Sequence, residues 1–164
     1  MLMISSITLT ISPRLLSFAI SLYFATTSLA TSWHITSLTS SCESLSSCKY
    51  SFTVIGNSIP RYPGFQASCS ALITPGDTTF RACQIETTSD TLRAGGVSGV
   101  KSVEGYVKLE EGGGNGDVSV RVEFDVGGGK IEVWEGGKMV EKEELEGGKR
   151  GFDVDVKMVE TEPV

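Results

Sequence analysis

The chain has 164 residues with 14 basic and 20 acidic side chains, a net charge of −6, 19 glycines and only four cysteines. That acidic balance excludes a nucleic-acid-binding surface, which needs clustered Lys and Arg to displace phosphate counterions, and it disfavours anionic membranes for the same reason. The excess is uneven: residues 31 to 100 carry four basic and four acidic groups, whereas residues 101 to 164 carry nine and sixteen, which reads as a solubility device.

The first thirty residues hold one charge, Arg14, then an apolar run from Leu15 to Phe24, then Ser28-Leu29-Ala30. A basic residue, an apolar core and a small-residue exit form the pattern of a secretory signal peptide cleaved between Ala30 and Thr31. A membrane anchor is the competing reading. Pro13, Ser17, Ser21 and Thr26-Thr27-Ser28 leave too few uninterrupted apolar residues for a hydrocarbon core of roughly 30 Å. The expectation is therefore a secreted, extracellular protein whose mature part, residues 31–164, forms a single domain.

The mature chain divides into a disulfide-bearing half (31–85) and a glycine-rich acidic half (101–164). In the first, Trp33 to Leu38, Lys49 to Ile55, Phe65 to Ile73 and Phe80 to Ile85 read as strands. All four cysteines lie here, and in an exported chain two pairs imply a disulfide framework. Pro75-Gly76-Asp77 has turn chemistry; as a three-residue hairpin loop it makes residues face each other when their numbers sum to 152. Cys69 and Cys83 satisfy that sum, and facing strand residues lie within disulfide range. Cys69–Cys83 is thus expected to staple a hairpin, leaving Cys42–Cys48 as a local ring. Zinc would need CxxC or CxxH spacings, which are missing, so no metal or cofactor is expected.

In the second half, Gly95 to Ser102 superficially suggests a phosphate loop. Val100 intrudes before Lys101 and no helical period follows, so a flexible inter-strand link is the better reading. Gly112 to Asp117 reads as a hairpin loop. Val118, Val120, Val122, Phe124 and Val126 then alternate strictly with polar residues, a strand period of two. A turn at Gly127-Gly128 would set Phe124 opposite Ile131 and Val122 opposite Val133. A second at Gly136-Gly137 would set Trp134 opposite Met139. Glu141 to Glu146 reads as a helical turn or a solvated loop, the loop being favoured, and Phe152 to Met158 as a last strand. Eight or nine short strands with almost no helical period predict an all-β antiparallel sandwich or barrel.

No catalytic constellation is recognisable. His34, beside Trp33, has no Ser or Cys nucleophile motif near it and reads as structural or exposed. The many carboxylates nearly all fall in the polar phase of strands or at turn edges, which ranks a small glycoside hydrolase last among the functional readings. Trp134 and Tyr62 stand out as surface-contact candidates.

The run Trp33-His34-Ile35-Thr36-Ser37-Leu38, then Cys48-Lys49-Tyr50-Ser51-Phe52-Thr53-Val54, Ala67-Ser68-Cys69-Ser70 and Phe80-Arg81-Ala82-Cys83 resembles the small secreted fungal proteins typified by the major Alternaria allergen. The resemblance covers about Trp33 to Cys83. It implies a compact β-barrel or sandwich without established catalytic residues, acting at the fungus–plant interface as an allergen or elicitor, and in some members dimeric. The later cysteines of that family are missing here. Function is accordingly expected to be a non-catalytic surface interaction with a host plant protein, with homodimer formation implied by the resemblance. The alternative is a module that binds carbohydrate or cell-wall glycan.

Overall fold

The computed structural model describes residues 31–44, 47–88, 99–110, 115–147 and 151–163. The leader up to Ala30, Gly95 to Ser98 and Gly112 to Gly114 lie outside them. Nine strands are present: β1 (Thr31–Ser44), β2 (Ser47–Gly56), β3 (Phe65–Ile73), β4 (Arg81–Ala82), β5 (Gln84–Thr88), β6 (Gly99–Leu109), β7 (Gly116–Gly127), β8 (Lys130–Val140) and β9 (Phe152–Pro163). One short helix, α1 (Lys142–Gly147), precedes β9. They form a single antiparallel sheet in the order β4-β6-β7-β8-β9-β1-β2-β3-β5. The expected all-β fold is therefore an almost closed barrel. Each half of the sequence contributes one contiguous arc, joined where β9 pairs β1.

The barrel interior follows from strand periodicity. Trp33 and Ile35 of β1 point inward, and the next apolar residue, Leu38, comes one position out of phase. A bulge between Thr36 and Thr39, with Ser37 in the left-handed region (φ 54°), absorbs the extra residue and returns Leu38 to the core. Tyr50, Phe52 and Val54 of β2, Phe65, Ala67 and Cys69 of β3, and Val118, Val120, Val122 and Phe124 of β7 complete the same cluster. The segment Glu141 to Glu146, expected as a loop, is largely helical. Its one apolar side chain, Leu145, is buried and α1 packs on β1, so a single anchoring residue favours the turn of helix over a solvated loop.

Both expected disulfides are present, Cys42–Cys48 and Cys69–Cys83, with Cα atoms 3.9 and 4.3 Å apart. The Cys42–Cys48 ring is itself a cross-strand pair, closing the β1–β2 hairpin. Ala67 pairs Ile85 and Ser68 pairs Gln84, the expected register, but the strand expected over Phe80 to Ile85 is divided. Arg81 and Ala82 pair with Glu104 and Gly105 of β6, while Gln84 to Thr88 pair with β3. Between them the Cys83 N–H donates to the Val103 carbonyl at 2.8 Å. The loop expected at Pro75-Gly76-Asp77 is a Thr74–Asp77 turn with Gly76 at φ 82°. It docks on β6 through the Gly76 N–H and the Leu109 carbonyl. The Asp77 carboxylate accepts from the Thr79 N–H and from Arg81, which steers the chain away from β3 and across to β6. Residues 99–102, expected as a link, are the start of β6; of the hairpin loop expected over Gly112 to Asp117, Gly116 and Asp117 belong to β7, and the Glu110 N–H donates to the Asn115 carbonyl between β6 and β7.

Two glycine expectations need correction. Gly136 and Gly137 make no turn; β8 runs through them, and Trp134 pairs Met158 of β9 instead of Met139. These glycines are set by close approach: a Cβ on Gly136 would stand 2.7 Å from the Asp155 carbonyl oxygen, and one on Gly137 3.0 Å from that of Val118. The β7–β8 turn is at Gly128-Gly129, closed by Gly127 opposite Lys130, with all three glycines at positive φ. A bulge follows between Asp125 and Gly127. Phe124 therefore faces Glu132, and Val122 faces Trp134, one residue out of the expected register. Ile131 and Val133 remain buried, but apart from the main core cluster.

Replacing Cys69 and Cys83 together by serine should lower unfolding free energy by about 3 kcal/mol in urea titrations, and the Cys42/Cys48 double variant by roughly 0.5–1 kcal/mol less. Gly105 is the tightest point beside the Cys69–Cys83 bridge: a Cβ there would meet Phe52 Cζ at 2.7 Å. Gly105→Ala should therefore cost about 1–3 kcal/mol in the same measurement.

Candidate functional site: the aromatic mouth of the barrel

One end of the barrel gathers aromatic rings from four strands and one loop. Trp33 (β1) meets Phe65 (β3) edge-on with centroids 5.6 Å apart, and Phe65 meets Phe124 (β7) at 6.3 Å. Tyr62, from the loop between β2 and β3, meets both Phe124 and Trp134 (β8) at 5.1 Å. Together with Thr31, Asn57, Ile59 and Pro63 these rings line a shallow, partly open cleft. Edge-to-face packing suits the ring quadrupoles and fixes the rings at steep angles to one another.

The loop carrying Tyr62 is a tight turn. Ile59 and Tyr62 exchange both backbone hydrogen bonds, at 3.2 and 3.0 Å. Pro60 supplies the first corner, and Arg61 takes the second at φ 85°, a left-handed conformation that costs a non-glycine residue free energy. Arg61 is held there by Glu132, 3.9 Å away, and by the Tyr62 ring, 5.9 Å from the guanidinium carbon. The Tyr62 hydroxyl donates to Glu132 Oε2. Burial, this hydrogen bond and the adjacent negative charge push the Tyr62 phenol up to about 12, with Arg61 and Trp134 weighing the other way.

The Glu132 side chain is only 13% exposed. The Trp134 indole Nε1 is also buried. It lies near enough to the Tyr62 hydroxyl to weigh on the phenol's proton affinity, yet it reaches hydrogen-bonding geometry with no acceptor among the described residues. The cleft thus offers stacking surfaces and the Trp134 N–H, with the Glu132 carboxylate standing behind the Tyr62 hydroxyl.

Of the two surface candidates, Tyr62 and Trp134, the structure brings both into this mouth, half-buried and in contact. Thr31, on the expected mature side of the cleavage site, lies on the cleft's rim, while Ala30 is outside the described residues. Glu132, Phe65, Phe124 and Arg61 were not singled out by sequence as site residues. Glu132 sits in the polar phase of an alternating strand, so it looks solvated until the one-residue register shift turns it inward. His34 lies on the opposite face of β1 from its buried neighbours, with Nδ1 2.7 Å from Asp153 Oδ1 across the β1–β9 junction. Gly151 leaves the room it needs, since a Cβ there would collide with His34 Nε2. A second aromatic group, Phe80 against Tyr106 with Arg121 4.4 Å above the Phe80 ring, covers the outside of β6 and β7.

Among the described residues no group of three or more His, Cys, Asp or Glu is placed to hold a metal ion, and no helix is long and apolar enough to cross a membrane. Fold and site together define a disulfide-stapled antiparallel β-barrel with an aromatic mouth closed by a tyrosine–carboxylate contact. No protein-family model, curated protein or solved structure matches the chain.

The raised Tyr62 phenol gives a pH signature. Below pH 10 the phenol is neutral in both folded and unfolded chains. Between pH 10 and about 12 only the unfolded chain ionises, so the stabilisation is lost as pH rises through that window. Urea midpoints should fall more steeply above pH 10 for the wild type than for Tyr62→Phe.

Proposed function

We propose that this is an exported, non-catalytic protein that works by surface recognition, with the aromatic mouth as its recognition surface. The carrying observation is the convergence of five rings from separate parts of the chain around Glu132 and the unused Trp134 donor. Apolar rings with a few placed polar groups are the usual composition of a recognition site. Cross-strand disulfides suit an oxidising, extracellular setting, as the leader suggests. The resemblance over Trp33 to Cys83 gives the setting: a fungal protein at a plant surface, acting as an elicitor, effector or allergen-like protein on a host protein or on the cell wall. Glu132 stands behind the Tyr62 hydroxyl and the cleft's own lining carries no carboxylate, whereas glycoside hydrolysis calls for two facing each other.

Infiltrating the disulfide-intact protein into plant leaf, and using it as bait for leaf-wall extract, tests this reading. The wild type should elicit a response or retain a wall component. Trp134→Ala with Glu132→Gln, checked for folding by circular dichroism, should lose at least ten-fold in either readout. An equal response from the folded double variant would place recognition elsewhere.

A further inference from the structure

Resting on that reading, we infer that the mouth takes a single saccharide ring, and that the Tyr62 hydroxyl occupies the place of a sugar hydroxyl until one displaces it. Three observations converge on this. The first is shape: the cleft is shallow and partly open, with free space for about one water while Tyr62 is in place, so a ligand gains room only by displacing that side chain, and the room so gained suits one ring or chain end rather than a length of polymer. The second is polarity. A buried indole N–H with no acceptor is costly and uncommon, and beside it Glu132 accepts from a hydroxyl. A sugar hydroxyl both donates and accepts, so one such group serves Glu132 and Trp134 together, while its ring's C–H face rests on Trp134 or Phe124.

The third observation excludes the main competitor for an aromatic, acidic pocket, an ammonium ligand. Arg61 already stands against both Glu132 and the Tyr62 ring, so the cation's place is filled from within the chain. An exposed positive ligand would also leave the Trp134 donor without an acceptor. A neutral hydroxylated ring answers every unmatched group in the mouth.

The turn at Ile59–Tyr62 explains how the ring enters. Tyr62 is tied down by its hydroxyl's bond to Glu132 and by Arg61, itself held in a left-handed conformation. Exchange of the phenol hydroxyl for a ligand hydroxyl at Glu132 conserves the hydrogen bond and lets the loop move aside. Tyr62 is therefore a competitor of the ligand, and removing its hydroxyl should strengthen binding.

Both tryptophans of the chain, Trp33 and Trp134, line the cleft, so intrinsic fluorescence reports on this site. The disulfide-intact protein would be titrated with chitobiose, cellobiose, laminaribiose, xylobiose and, for comparison, tetramethylammonium. At least one disaccharide should give a saturable change in emission. Trp134→Phe, which keeps a ring but loses the N–H, should weaken it about five-fold, Glu132→Gln about ten-fold, and Tyr62→Phe should tighten it several-fold. Silence with every disaccharide, a response to tetramethylammonium alone, or weaker binding by a folded Tyr62→Phe would each overturn the inference. If the sugars are silent while the mouth double variant still loses the leaf response, the saccharide falls and the recognition reading stands. If a disaccharide binds while that variant keeps the full leaf response, the recognition reading falls and the saccharide site stands.

Discussion

The bond between Cys69 and Cys83 stands where the sheet comes round to meet itself. β3 and β6 share no ladder; the segment Arg81–Thr88 spans the gap, pairing with β6 at one end and β3 at the other. Cys83 belongs to both sides at once, through its sulfur to Cys69 and through its N–H to Val103. A backbone that changes partner between adjacent residues gains few ladder hydrogen bonds on either side, so a covalent tie at the crossing holds the two arcs together. Gly105 admits this crossing because it has no Cβ to strike Phe52. Its carbonyl accepts from the buried Tyr50 hydroxyl at 3.0 Å, which closes the polar accounting at the seam. Burial there raises the Tyr50 phenol, with Arg81 and Asp77 pulling in opposite directions.

Closure at the seam places the other end of the barrel. With the arcs fixed, Trp33, Phe65 and Phe124, on three strands far apart in sequence, point to a common centre. The loop bearing Tyr62 folds over them. The mouth is thus a product of the closed sheet and would not assemble in either half alone. Its polar chemistry depends on a finer detail, the bulge beside Gly127. A strand alternates faces with a period of two, so one extra residue reverses every side chain beyond it. That reversal carries Glu132 and Trp134 inward and moves Ile131 and Val133 to the other face.

Much of the fold was legible from residues. Phe65–Ile73 has the same bounds in both, and the sum rule drawn from Pro75-Gly76 gave the Cys69–Cys83 pairing. Strict alternation from Val118 to Val126 located β7 to within two residues at its start and one at its end. These succeed because side-chain period and turn chemistry are local. The misreadings share one cause. Three consecutive glycines allow a two-residue turn at either of two positions, and nothing local chooses between them. A Gly-Gly pair inside β8 looks like a turn until the neighbouring strands show that no Cβ would fit. Leu145 could not be told from a loop residue until β1 was there to cover it.

By itself, then, the sequence determined the class of fold, most of the strands and both disulfides, because alternation, turn residues and cysteine spacing act over a few residues. Only the tertiary structure decided the register of β7 on β8, the divided strand at the seam and the composition of the mouth. Each of these rests on a choice between locally equivalent arrangements, and that choice is made by packing across the barrel among residues far apart in the chain.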